Sequence, residues 1–482
     1  MNSCSNRSSR RRFLEFNMGG LGAAALISLL RADSPRTEQT TGRNSFRGGF
    51  PNLPPKVNRV VHICLIGGLS HVDSFDYKPQ LNQLNGKALP DFVRPDTFFG
   101  SAGLLRKHEW KFRKRGQSGL WVSGLFPHLA ALADELTVVN SMVSESGNHT
   151  PAMFLQNSGF QSNGFPSLGS WLSYGLGNET DALPTFVVLP DARSLPNSGA
   201  ANWSSGFLPA QHQGAVFRSG DQPIRDLFAK QKISRIAEND ARALLRHLNQ
   251  KQLANRDNDL LRARVRAYEL AAHMQSSVPE AVDFADESAS TKTSYGIDRK
   301  ATADCGRRCL LARRLLERGV RFVQIYSGGA FGGTPRHGWD GHENNRVNHA
   351  REALRIDQPI AALLKDLKQR GLLDDTLLLF TSEFGRTPFA HAPRGVMALG
   401  RDHNPKGFTV WLAGGGLQKG MSFGATDEVG WKSVVDPVSW PDFHATVLYL
   451  LGIQHTRLTF YHNGIERRLT NVHGSVINKI LA

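Results

Sequence analysis

Residues 58–76 read Asn58-Arg59-Val60-Val61-His62-Ile63-Cys64-Leu65-Ile66-Gly67-Gly68-Leu69-Ser70-His71-Val72-Asp73-Ser74-Phe75-Asp76. A nearly unbroken apolar run that stops at two glycines is the pattern of a buried strand whose C-terminal end opens into a loop. Ligands of open α/β sheets bind just beyond such ends. The loop here carries one imidazole, His71, and two carboxylates, Asp73 and Asp76, where chemistry is expected.

Further strands are expected at Leu136–Asn140, Thr185–Pro190, Arg321–Tyr326, Thr376–Ser382 and Thr409–Ala413. Helical patterning covers Leu125–Ala133, Gln222–Ser277, Ala301–Arg318, His349–Arg370 and Phe443–Leu451. This order predicts one α/β domain over residues 57–482, with a mostly parallel central sheet and helices on both faces. The long, charged stretch 222–280 has little strand signal and reads as a helical insertion on that core.

Chemistry-bearing residues recur at the same relative place in successive strand–loop units. His71, Asp73 and Asp76 follow the first strand, and His337, Asp340 and His342 follow Tyr326. Glu383 ends the strand Thr376–Ser382, and Asp402-His403 precedes the next strand. Strand ends converge in space, so these groups are expected to form one metal or anion site. Divalent metals held by Asp and His stabilise a transferring phosphoryl or sulfuryl group and activate a nucleophile. Arg386, Arg401 and Lys406 flank the proposed ligands and are the candidate anion binders.

The amino-terminal segment reads differently. Ser9-Arg10-Arg11-Arg12-Phe13-Leu14-Glu15 resembles the twin-arginine export motif, with Glu in place of the usual final Lys. The apolar segment Met18–Leu30 that follows has 13 residues, too few to span a bilayer comfortably as a helix. Residues 1–32 are therefore expected to be an export signal and 33–56 a linker, with the twin-arginine machinery as a partner. The expected location is the periplasm, cell envelope or extracellular space. No clean Ala-x-Ala site follows Leu30, which leaves the cleavage site open, and an uncleaved leader would act as a membrane anchor.

The formal charge of +16 shrinks once the leader is set aside, because residues 1–60 hold 10 Lys/Arg against 3 Asp/Glu. The remaining excess is spread over more than 400 residues, a pattern that favours anionic ligands in general and argues against nucleic acid. Arg106–Arg115 is a basic run expected to be a solvated loop before the turn at Gly116–Gly119. The four cysteines suggest no disulfide framework, and Cys305 and Cys309 read as helix packing.

Together, Ile63–Asp76, Asn148–Gly159, Trp339-Asp340-Gly341-His342, Arg355–Thr387, Gly400–Gly416, Asp442–Gly452 and Arg468–Gly474 resemble the exported sulfatase-like proteins grouped as DUF1501. The resemblance covers roughly residues 50–482 and is similar in turn to the alkaline-phosphatase superfamily. It implies an alkaline-phosphatase/sulfatase-like fold and an exported, metal-dependent hydrolase of phosphate or sulfate esters. It also implies one or two divalent ions (zinc, calcium, manganese or magnesium) and a sulfated or phosphorylated polysaccharide as a substrate class. By the same resemblance, Asp73 or Asp76 matches the first-strand metal carboxylate and Asp340 with His342 the middle ligand pair. Glu383 replaces the usual Asp, His403 matches the late histidine, and Asp402 is an adjacent ligand or orienting group. His71, His337 and His444 are expected around the ligands, with Asp442 capping the last helix.

Departures from that pattern bear on activity. His149 stands near the superfamily's nucleophile position, and Thr150 serves only if the register shifts by one. His149 is otherwise a phosphohistidine-type nucleophile, a general base or a ligand. Phe384 stands where a second-site His is usual, which implies one metal or an altered pair. No Cys-x-Pro-x-Arg or Ser-x-Pro-x-Arg occurs, which argues against a formylglycine sulfatase. The alternative to hydrolysis is a catalytically inactive relative that binds anionic polysaccharide or a cell-envelope partner; a transferase or isomerase is a third possibility.

Overall fold

The computed structural model describes residues 49–89, 95–100, 102–218, 223–224, 234–255, 259–330 and 336–482. The expected leader and most of the expected linker lie outside these residues. The central sheet has eight strands. They are β1 Arg59–Leu65, β2 Thr137–Met142, β3 Phe186–Leu189, β4 Ala215–Val216, β5 Phe322–Ser327, β6 Thr376–Ser382, β7 Phe408–Gly414 and β8 Met421–Phe423. Their spatial order is β8-β2-β7-β6-β1-β5-β3-β4.

Every neighbouring pair is parallel except the two made by β7, which runs against both β2 and β6. β1 lies at the centre, and its last residue Leu65 is level with Ser327 of β5 and Ser382 of β6. The loops after these three strands therefore leave from one edge. β7 begins at that edge, where its Phe408 faces Met142 at the end of β2. Five chain segments are thus brought to one place by strand register alone.

Successive residues of β1 point to opposite faces. Val61, Ile63 and Leu65 enter one apolar cluster, and Val60 and Cys64 enter the other. The first cluster is closed by α3 Ala303–Glu317 and α4 Asn345–Gln369. The second is closed by α1 His149–Ser158, α2 Leu168–Leu176 and α5 Trp440–Leu450. Leu363, Leu364 and Leu367 of α4 are each buried, and burying such a side chain contributes about 1.5–3 kcal/mol. The strand is apolar throughout because both of its faces are covered.

Local signals account for the helix starts that matter. Asn148 caps α1 by accepting from the Thr150 N–H, and Asn344 caps α4 by accepting from Val347. Ser439, rather than Asp442, caps α5, and Asp442 completes a reciprocal capping box three residues on. The stretch 222–280, expected as a helical insertion, forms two helices, Arg235–Asn255 and Asp259–Val282, within its described part. The basic run expected as a loop is partly a hairpin, Phe112–Arg115 paired with Leu120–Ser123 around the Gly116–Gly119 turn. Cys305 and Cys309 are buried on α3 within the apolar cluster.

Candidate functional site

The loop after β5 passes so close to β1 that a side chain would not fit between them. Gly67 has φ +116°, and a Cβ there would stand 2.5 Å from the Asp340 backbone nitrogen. Trp339 donates its N–H to Ile66 O at 2.7 Å. This contact sets Asp340 over the end of the central strand. Glu383 follows β6 directly, and the hairpin Gly385–Ala390/Arg401–Asn404 pairs His403 with Arg386. His149, the first residue of α1, arrives from the end of β2.

These residues converge on Asp340. Its Oδ1 lies 2.9 Å from His342 Nε2, 3.3 Å from His403 Nε2, 3.6 Å from His149 Nε2 and 2.6 Å from the Arg386 guanidinium. Its Oδ2 meets Arg336. His149 Nδ1 donates to Glu383 Oε1 at 2.7 Å, and His403 Nδ1 donates to the Gly147 carbonyl at 2.6 Å. Phe384 covers the site, with its ring centroid 4.4 Å from that of His403 and 4.9 Å from that of His149. A shallow cleft lined by Asn197, Gly329, Arg336, His337 and Gly338 opens onto His149 and Asp340.

The electrostatics follow from this packing. Burial alone would raise the Asp340 carboxyl, but Arg386 and the three imidazoles outweigh it and hold the group well below the usual carboxylate range. Burial pushes His403 well below the ordinary histidine value, so its ring is neutral. Burial also works against protonation of His149, yet the carboxylates of Asp340 and Glu383 raise it.

The donor set fits a divalent cation. A carbonyl and a carboxylate fix the outer Nδ1–H of His403 and His149, which directs both Nε2 atoms at one carboxylate oxygen. A ring whose Nδ1–H is held in this way presents Nε2 as a metal ligand does, and His403 Nε2 also lies 2.9 Å from His342 Nε2. Ligand atoms around a tetrahedral ion at about 2.0–2.1 Å stand roughly 3.3 Å apart, close to the 3.3 and 3.6 Å separations from Asp340 Oδ1 to His403 and His149. The candidate ligand atoms of His149, Asp340 and His403 all lie within 4.8 Å of one another, and so do those of a second group, His342, His391 and Asp402.

Several expected site residues stand elsewhere. Asp73 is fully buried and bound by Arg401, with Nε to Oδ2 at 2.8 Å, and by Ser70, Asn345 and the Glu109 N–H. These donors occupy both oxygens and hold Asp73 as a buried structural anion outside the group around Asp340, with Arg401 as its counterion. Asp76 pairs with Lys78 at 3.1 Å and accepts from Thr426, away from the cluster. Arg386, expected to bind substrate, is fully buried and donates to the Gly67 and Gly68 carbonyls and to Asp340.

Glu383 bonds His149 Nδ1 and also accepts from the Gly67 N–H at 2.8 Å, so it stands on the side of His149 away from Asp340. His71 bonds the Gly430 carbonyl, and His444 bonds the Gln156 carbonyl behind α1. Lys406 lies half exposed beside Asp96. Thr150 is the second residue of α1, and its N–H bonds the Asn148 cap. His337 lines the cleft. Two residues that sequence reasoning missed, Arg336 and His391, stand within the site. Arg336 sits four residues before Asp340, a spacing that could have flagged it; His391 carries no local signal.

None of the curated proteins matches this chain in sequence. Among solved structures it is similar to a phosphonate monoester hydrolase from Silicibacter pomeroyi (12% identity, 68% of each chain covered, TM-score 0.33). It is also similar to an alkaline phosphatase from the Antarctic bacterium TAB5 (10% identity, 78% of this chain and 96% of that one, TM-score 0.33). A sulfatase from Pseudoalteromonas sp. is a third likeness (14% identity, 82% of this chain and 68% of that one, TM-score 0.35). A family profile matches residues 57–481, from just before β1 to the last residue but one, and the chain therefore belongs to the family described as "Protein of unknown function (DUF1501)".

Proposed function

We propose that this protein is an exported, metal-dependent hydrolase of phosphate or sulfate esters, with the cation held by His149, Asp340 and His403. The observation that carries the reading is the convergence of two imidazole Nε2 atoms, each ring oriented through its Nδ1, on one buried carboxylate oxygen at the mouth of a cleft. A divalent ion there would polarise an ester oxygen and make bound water more acidic.

The chain's own residues supply the rest. Glu383 and the Gly147 carbonyl hold the two imidazoles in the ligating tautomer. Arg386 holds Asp340 from beneath, and Phe384 keeps water off the inner side. Arg336 is partly exposed on the cleft wall, 32% against 0% for Arg386, and pairs with Asp340 and Glu343, so it is the guanidinium proposed to meet an anionic ester. Among the described residues lining the cleft, none carries a hydroxyl or thiol. Water is therefore the proposed attacking group, with His149 as ligand. Sulfated or phosphorylated polysaccharide is the proposed substrate class, and the twin-arginine machinery the proposed export partner.

The test is metal content and turnover of aryl phosphate and aryl sulfate by the purified protein. Asp340→Asn and His403→Ala are each expected to lose the ion and to slow turnover roughly 100- to 1,000-fold, the scale of removing one group that stabilises developing charge. Turnover that persists unchanged in both variants would sink the reading. Protein without metal that binds a sulfated glycan equally well before and after the substitutions would favour the inactive, binding alternative.

A further inference from the structure

The segment that follows β3 carries none of the expected site residues, yet it reaches the cleft at Asn197. Buried polar contacts fasten it along its length. Asp191 accepts from the Gly328 N–H at 2.9 Å and pairs with Arg193 at 2.7 Å, and the same guanidinium binds the buried Glu352 of α4 at 2.8 Å. Leu195 O accepts from the Ala330 N–H at 2.7 Å, and a Cβ on Gly329 would stand 2.3 Å from Ser194 Cβ. Residues 191–195 therefore lie directly against residues 328–330 of the loop after β5.

Asn197 itself is held through its backbone. The buried Asn202 donates its carboxamide N–H to Asn197 O at 2.6 Å and to Gly199 O at 3.1 Å, and its Oδ1 accepts from Asn157 of α1 at 3.3 Å. α1 begins with His149, so a chain of amides joins the helix that carries this imidazole to the cleft wall. Ser198, next in the chain, stands at φ +67°, a left-handed conformation that few residues other than glycine adopt. Such a conformation persists only where its surroundings over-determine it, and it clusters at ligand sites. The carboxamides of Asn157 and Asn202 are spent on these contacts, whereas that of the half-buried Asn197 makes no hydrogen bond among the described residues.

We propose that Asn197 is a substrate-binding residue, whose carboxamide N–H donates to a non-bridging oxygen of the phosphoryl or sulfuryl group that enters the cleft beside Asp340. This rests on reading the cleft as an ester site. A carboxamide carries two N–H donors, and a donor whose backbone is already fixed meets charge developing on that oxygen without reorganising. Asn197 is neutral, so it adds a directed bond where Arg336 adds charge. It recognises the tetrahedral anion that phosphate and sulfate esters share, and not their organic part.

The experiment is titration calorimetry of the full chain, loaded with Zn²⁺ and freed of excess ion, against inorganic phosphate and against inorganic sulfate. Ion content, melting temperature and kcat/KM for aryl phosphate and aryl sulfate are measured on the same samples. Asn197→Ala is expected to bind whichever anion the wild type takes about 10- to 100-fold more weakly, the scale of one hydrogen bond to a charged group, with ion content and melting unchanged. Asn197→Asp keeps the size, loses both donors and adds a negative charge, so it should bind more weakly still; it also gives the comparison if the alanine variant does not fold. A merely structural Asn197 would lower the melting temperature and leave anion affinity as it was. Unchanged affinity in the folded variants, or a wild-type protein that binds neither anion, would overturn the proposal. Ester turnover with the same kcat/KM after Asn197→Ala keeps the hydrolase reading and removes this one. Anion binding that depends on Asn197 in a protein that hydrolyses neither ester keeps Asn197 as an anion binder and removes the hydrolase reading.

Discussion

One oxygen of Glu383 accepts two hydrogen bonds, from Nδ1 of His149 at 2.7 Å and from the Gly67 N–H at 2.8 Å. A single buried atom therefore ties the end of β6 to the loop after β1 and to the first residue of α1. A carboxylate behind an imidazole fixes the tautomer and raises the basicity of the opposite nitrogen. Glu383→Gln keeps an oxygen that can accept both bonds but removes the charge. Divalent-ion affinity is expected to fall about 10- to 100-fold with little change in melting temperature, measured by competition with a chromophoric chelator. Unchanged affinity would show that His149 takes its basicity from elsewhere.

Asp73 and Arg401 form a pair in which neither side chain is exposed. Arg401→Ala strands the carboxylate away from water, and breaking a buried pair in this way typically costs about 3–5 kcal/mol. Urea unfolding should show that loss. Replacing both partners by apolar side chains should cost less, although Ser70, Asn345 and the Glu109 N–H would then lose their shared acceptor. A loss below about 1 kcal/mol, the scale of an exposed pair, would contradict the assignment of Asp73 as a structural anion.

The central strands were legible because an apolar run covered on both faces needs no long-range information. Their C-terminal ends showed where chemistry would gather, and Asp340, His342, Glu383 and His403 do stand together. Which carboxylate faces solvent chemistry and which is neutralised inside was not legible. Asp73 and Asp340 occupy the same kind of loop, and Asp73 is claimed by an arginine 328 residues away. His391 was hidden for a related reason. It enters the site through a hairpin whose register shifts between Arg401 and His403, and no local spacing encodes that shift. α1 was obscured by its buried polar residues, since Gln156 and Asn157 bond Thr381 and Gln324 inside the core.

Acid should weaken the fold through His62 before it reaches the carboxylates. His62 is buried at the middle of β1 with Nε2 against Thr381 Oγ1 at 2.8 Å. Burial, reinforced by His444, lowers its pKa to about 3 from an ordinary 6.5. The unfolded chain takes up a proton in that interval and the folded chain does not. The stability tied to the neutral ring is complete above pH 6.5 and drains as pH falls toward 3, by up to about 1.4 kcal/mol per pH unit. Between pH 7.5 and pH 5, His62 alone is expected to account for about 2 kcal/mol. Urea unfolding of His62→Asn at the two pH values should show a difference smaller by that amount, whatever its stability at pH 7.5. An identical difference in both proteins would mean that His62 is not the group refusing the proton.

Gly400 and Gly371 separate two reasons for a glycine. A Cβ on Gly400 would stand 1.5 Å from the His342 carbonyl oxygen and 2.2 Å from its carbon, at the point where Arg401 N–H donates to Gly341 O at 3.1 Å. Gly371 follows α4 with φ +70° and has open space around it. Gly371→Ala should cost only the left-handed backbone strain, about 1–2 kcal/mol, and leave ion binding intact. Gly400→Ala must push the hairpin bearing Asp402 and His403 away from the loop bearing Asp340 and His342. Overpacking against a side chain costs about 1–3 kcal/mol, and here the obstacle is backbone, so the cost should exceed that range. Its signature is loss of bound metal beyond what the fall in stability explains, read by comparing ion content at temperatures where both variants remain folded. Equal ion content in the two variants would show that the close approach at Gly400 does not set the spacing of the imidazoles around Asp340.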